Sequence, residues 1–157
     1  MKTYFSILYL FLSINLCAQE TIKTLKTHTF PEVEQLQKTA PKPTVVFLYA
    51  DWCKICFGMK KNTFQNSKVI EKLNSDYYFV MLNGEEKSDI TFLGRTFSYK
   101  PSGNSGIHEL AKQLTISEDK ISYPTTLILN SNYEIDVLFD GYLNSKKMNS
   151  ILNKYQK

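Results

Sequence analysis

Phe47-Leu48-Tyr49-Ala50-Asp51-Trp52-Cys53-Lys54-Ile55-Cys56 carries an apolar, strand-like run into a tryptophan and two cysteines that open a helix-like segment. On a helix, positions i and i+3 share a face, so Cys53 and Cys56 can close a small disulfide ring with little backbone movement. The two sulfurs are unequal. Cys53 falls at the helix N-terminus, where unpaired N–H groups and the macrodipole favour an anion, while Cys56 lies one turn inside. Such a position lowers a thiol pKa from about 8.5 into the range of roughly 3.5 to 7.5. The stretch reads as a dithiol/disulfide redox site with Cys53 as nucleophile and Cys56 as resolving thiol.

Two other readings of Cys-x-x-Cys compete. A zinc site needs four ligands, and the remaining Cys17, His28 and His108 lack ligand-like spacing; no metal is expected. A purely structural bridge would close a ring too small to remove much loop entropy, so it would stabilise weakly.

Outward from the motif, the 157 residues, 43% hydrophobic, are enough for one globular domain with a sizeable core. Basic and acidic residues are interspersed and the formal charge is only +4, which gives no argument for a nucleic-acid partner or a polybasic membrane patch. Residues 1–18 read differently: Lys2, the apolar run Tyr4 to Ile14 and the small-residue exit Cys17-Ala18 form a signal-peptide pattern, too short for a membrane span. Cleavage after Ala18 leaves a domain over 19–157 with no integral membrane segment and only the two motif cysteines, in a periplasmic or secreted setting. Leu16 suits poorly the position before a lipidated cysteine at Cys17.

Phe30-Pro31 with Glu32, Val33 and Leu36 predicts a short helix, stopped by Pro41 and Pro43. Thr44 to Tyr49 predicts a buried central strand, Cys53 to Phe64 the site helix, Ser67 to Leu73 another helix, and Tyr77 to Leu82 a second strand parallel to the first. Asn83 to Ser105 breaks the rhythm and reads as a long surface excursion near or over the sheet. Gly106 to Leu114 restores helical period and puts His108 on the solvent side. Thr125 to Leu129 and Ile135 to Phe139 predict a hairpin, and Ser145 to Tyr155 a closing amphipathic helix.

This order of elements, with Trp-Cys-x-x-Cys after the first strand and an X-Pro before the third, resembles the thioredoxin superfamily. The text Tyr49 to Cys56, followed by Met59-Lys60-Lys61-Asn62-Thr63-Phe64, is similar to the C-terminal periplasmic domain of the transmembrane thiol reductase of the Dsb system. The resemblance implies an α/β thioredoxin fold, a mixed central sheet flanked by helices with an insertion around 83–105. It implies a cis Pro124 beside the disulfide and a Tyr123 backbone available to an extended substrate. Trp52 and Lys54 would flank the nucleophile, the indole packing over the sulfur pair. The implied activity is thiol-disulfide oxidoreduction: reducing, isomerising or oxidising protein disulfides, with no cofactor beyond the Cys53–Cys56 pair. The implied partners are protein thiols and disulfides, with a membrane thiol reductase as electron donor. Phe47 stands where thioredoxins carry a buried aspartate, leaving Asp51 or Glu85 to act through water on Cys56. The reading from a different class is a thioredoxin-like protein-binding module whose cysteines form a structural bridge.

Overall fold

The computed structural model describes residues 24–115 and 121–156. The signal-peptide reading of 1–18 and the Gln19 start lie outside these residues.

The centre of the fold is a four-stranded mixed sheet of β1 (Thr44–Tyr49), β2 (Tyr78–Asn83), β7 (Thr125–Leu129) and β8 (Ile135–Asp140), in the order β2-β1-β7-β8. β1 runs parallel to β2 and antiparallel to β7, and β7 pairs antiparallel with β8. β1 and β7 are buried along nearly their whole length because both faces are covered. Val45 and Phe47 point to one core, Val46 and Leu48 to the other.

Five helices flank the sheet among the described residues: α1 (Phe30–Gln37), α2 (Lys54–Asn62), α3 (Ser67–Asp76), α4 (Glu109–Thr115) and α5 (Ser145–Lys154). α1 starts on a capping box in which Thr29 accepts from the Glu32 amide and the Glu32 carboxylate accepts from the Thr29 amide, with Pro31 in the first turn. Asn66 and Asn144 cap α3 and α5 by accepting the Val69 and Lys147 amides on their side-chain oxygens. One face of the sheet carries α2, α3 and α5 through Met59, Phe64, Val69, Leu73, Met148 and Leu152. The Tyr77 hydroxyl ties this layer together by donating to the Leu152 carbonyl at 2.5 Å. The other face carries α1 and α4 through Phe30, Val33, Leu110 and Leu114. Each fully buried Leu, Val or Phe stabilises by about 1.5–3 kcal/mol, so these two apolar layers dominate the favourable side of folding.

The insertion differs from the irregular excursion expected of it. It forms two hairpins, β3 (Ile90–Phe92) with β4 (Arg95–Phe97) and β5 (Tyr99–Ser102) with β6 (Ser105–His108). Phe92 and Phe97 are buried in the α1/α4 core, Phe92 against Phe30 and Tyr133. A second correction follows from β6. The helix begins at Glu109, and His108 is fully buried instead of solvent-facing. Its amide donates to the Gly84 carbonyl at 2.8 Å, and its Nδ1 accepts the Leu110 amide at 3.2 Å at the head of α4. Pairing with β5 overrode the helical period, and Gly106 permits the close approach, since a Cβ there would collide with the Tyr99 ring and the Lys100 carbonyl.

Candidate active site

The chain leaves β1 and turns sharply, the Cys53 amide donating to the Ala50 carbonyl at 3.1 Å, before α2 begins at Lys54. Cys53 is therefore the N-cap, and its sulfur accepts the Cys56 amide hydrogen at 3.0 Å. Orphan amides at a helix start need an acceptor, and with no acidic side chain in this first turn the sulfur supplies it. Lys60 and Lys61 in the last turn complement the opposite end of the helix dipole. Cys53 and Cys56 are joined in a disulfide with their Cα atoms 5.2 Å apart. Cys53 is 7% exposed and Cys56 1%, so Cys53 is the more accessible residue of the pair. Lys54 is exposed beside it at the first position of α2.

The Tyr123–Pro124 peptide bond is cis. The Pro124 carbonyl accepts from the Gly141 amide at 2.8 Å, which fixes the loop after β8 alongside the loop before β7. Tyr123 packs against both cores, and its ring meets Trp52 edge-on with centroids 5.8 Å apart. Its hydroxyl has no partner among the described residues and lies where a Cβ on Gly84 would be. Burial, and then the nearby Glu85 charge, push the Tyr123 phenol up to about 12.

Trp52 is not a core aromatic: it is 66% exposed. Its described contacts are the Tyr123 ring and the Glu85 carboxylate, which accepts from the indole Nε1 at 3.0 Å. Asp51 is engaged as well, accepting from Asn83 Nδ2 at 2.9 Å. Phe47 is fully buried, stacked on Tyr49 and edge-on to Phe64, so an aromatic ring occupies the strand position under α2. The Lys60 ammonium sits 3.1 Å over the Tyr49 ring, and burial lowers its pKa while Asp51 opposes that.

The fold thus brings together Trp52, Cys53 and Cys56 from one segment with Tyr123 and Pro124 from another. Sequence reasoning missed Gly84, whose missing side chain seats Tyr123, and the apolar side chains Phe57 and Tyr142 that are exposed beside the motif. A glycine directly after an apolar strand was the available signal for the first. Among the described residues no group of three or more His, Cys, Asp or Glu is placed to hold a metal ion, and no helix is long and apolar enough to cross a membrane.

Comparison with known proteins extends this geometry. The chloroplastic thioredoxin-like protein HCF164 of Arabidopsis thaliana is 35% identical over 81 residues, which are 52% of this chain and 29% of that protein. The chain therefore spans less than a third of that relative's length. Among solved structures, a DsbH oxidoreductase superposes with a TM-score of 0.62 at 16% identity, over 89% of this chain and 91% of the other. The reduced C-terminal domain of Neisseria meningitidis DsbD gives 0.51 at 17% identity, over 80% and 90%. The likenesses to the solved structures are to the fold, a mixed sheet with flanking helices. Residues 30–156, from the capped start of α1 to the end of α5, match the family model described as a thioredoxin-like domain, and the chain belongs to that family.

Proposed function

We propose that the protein is an exported thiol-disulfide oxidoreductase in which Cys53 attacks and Cys56 resolves. The observation that carries this is the Cys56 amide hydrogen held on the Cys53 sulfur at 3.0 Å, at a helix start and on the less buried residue of the pair. An N–H aimed at sulfur stabilises the thiolate more than the thiol, and the thiolate is the nucleophile.

In the reducing direction, the Cys53 thiolate attacks one sulfur of a substrate disulfide. That bond breaks, and the departing sulfur leaves as a thiolate that takes a proton from solvent. The mixed disulfide lies beside Pro124. Cys56, once deprotonated, attacks Cys53 Sγ; the Cys53–Cys56 bond forms and the second substrate thiol departs. Two electrons have passed to the substrate, and a donor dithiol must restore the pair. A membrane thiol reductase is the proposed donor, and reduction or isomerisation the favoured direction, because the flanks of the motif resemble a reductase domain. Export rests on the pattern of residues 1–18 and is checked by intact mass of the secreted protein, expected to begin at Gln19 without a lipid adduct.

The test of the cysteine roles is trapping. A Cys56→Ser protein should accumulate a mixed disulfide with a protein substrate, whereas Cys53→Ser should not. Equal trapping by both variants, or by neither, would remove the assignment.

A further inference from the structure

Among the described residues two that are not glycine adopt a positive φ, Leu93 at 52° and Tyr133 at 66°. That conformation is disfavoured for bulky side chains, and such strain clusters where a ligand is held. Both residues line the same cavity, of about 320 Å³. Its other walls are Phe92 and Phe97 from the insertion, Leu110 and Leu114 from α4, and Ile135 from β8. Ile135 pairs with Leu129, and Leu129 with Thr44 at the start of β1, so the cavity lies at the end of the sheet away from Pro124 and the disulfide. Apolar walls with a few polar groups at this volume are the make-up of a small-molecule site.

Leu93 is the less expected of the two. Leu93-Gly94 joins Phe92 to Arg95 as a two-residue turn with positive φ at both positions, the pattern of a type I′ hairpin, whose favoured pair is Asn-Gly. A leucine there gives up stability and is also 52% exposed. The Glu34 carboxylate accepts its amide at 2.9 Å and fixes the turn against α1. What the leucine adds is apolar wall at the cavity.

The polar lining is Arg95 and Gln113, and no lining residue is acidic. Arg95 is exposed and in no ion pair among the described residues; its guanidinium lies over the Phe97 ring at 4.6 Å. The acids that act on the lining are engaged elsewhere: Glu34 with the Leu93 amide, Glu109 with the Ser98 amide and Lys100. We propose that this cavity binds a single-chain amphiphile with a carboxylate head, its tail among Phe92, Leu110 and Leu114 and its head on Arg95. A guanidinium fork matches a carboxylate in two parallel hydrogen bonds. A cationic head would meet Arg95 with like charge, and a free inorganic anion would leave the apolar walls uncovered.

The test titrates n-octanoate, n-octanol and n-octyltrimethylammonium into the wild-type protein, following amide proton–nitrogen shifts. Octanoate should give saturable shifts at Leu93, Gly94 and Leu114, with an affinity about fivefold above that of octanol, the upper end for an exposed charge pair. The ammonium should bind weakest. Arg95→Gln should bring octanoate down to the affinity of octanol. Leu93→Asn supplies the favoured Asn-Gly turn, so it should raise the urea midpoint while weakening octanoate several-fold. No saturable shift at these residues, equal wild-type affinity for octanoate and octanol, or octanoate binding unchanged in Leu93→Asn would each overturn the proposal. Sedimentation showing a dimer that Leu93→Asn splits would make the occupant a second copy and would overturn it too. None of these results bears on the cysteine chemistry at the other end of the sheet.

Discussion

The Trp52 indole Nε1 donates to Glu85 Oε1 at 3.0 Å, linking the residue before the first cysteine to the turn after β2. With the edge-on contact to Tyr123, this bond holds an otherwise exposed ring in one orientation. Trp52 is the sole tryptophan in the chain, so its emission reports that orientation directly. Glu85→Ala should shift and depolarise the emission as the ring gains freedom, whereas Glu85→Gln, which keeps an acceptor oxygen, should stay close to wild type. Identical spectra for Glu85→Ala and wild type would show that the bond does not position the ring.

Gly84 and Tyr123 form a second coupled pair. A methyl group on Gly84 would occupy the place of the Tyr123 hydroxyl, so Gly84→Ala should cost about 1–3 kcal/mol by overpacking. The hydroxyl is buried without a described partner, and Tyr123→Phe should be neutral or slightly stabilising. The double variant should then recover part of the loss, because the hydroxyl is gone while two ring carbons 2.6 Å from the same place still have to shift. Denaturant unfolding of the four proteins measures the coupling. Simple additivity would refute the contact.

Acid should loosen the link between the insertion and the sheet. The Glu86 carboxylate accepts from the Ser88 and Lys87 amides at 2.9 Å, which lowers its pKa, the Ser88 bond first, with burial opposing and His108 adding a smaller attraction. A carboxylate depressed on folding contributes stability above its unfolded pKa and loses that contribution as pH falls through the folded value. Glu86→Gln should therefore be less stable than wild type at neutral pH, and the gap should close on acidification below the ordinary carboxylate range. A gap of constant size from neutral to strongly acid pH would contradict this.

How much the sequence disclosed followed the strength of its local pattern. β1, β2 and the β7–β8 hairpin were legible from their apolar runs, α5 from its amphipathic period, and the motif from cysteine spacing. The cis state of Pro124 followed from family resemblance, not from the residues alone. The insertion was not legible, because its strands span only three or four residues and owe their pairing to distant partners such as Phe30 for Phe92. His108 was misread for a related reason: Ile107, Leu110, Ala111 and Leu114 mimic helical period across a strand-to-helix junction.

His108 supplies a prediction of its own. Buried, bonded to Leu110 and tied through its backbone to Gly84, it joins the insertion to the turn that carries Glu85. His108→Ala removes the acceptor for the Leu110 amide in α4 and leaves a cavity, so a loss of about 2–4 kcal/mol is expected, read as a lower urea midpoint. A solvent-facing histidine would cost under about 0.5 kcal/mol on the same substitution.

The central claim is that α2 presents Cys53 as an activated thiol, and titration of that sulfur tests it most directly. In the reduced Cys56→Ser protein produced from Gln19 onward, which keeps the backbone amide at position 56 and contains no other cysteine, thiolate absorbance followed against pH isolates Cys53. A midpoint well below the roughly 8.5 of a free thiol is the predicted result. A midpoint at or above about 8.5 would contradict it, and the pair would then be a structural bridge.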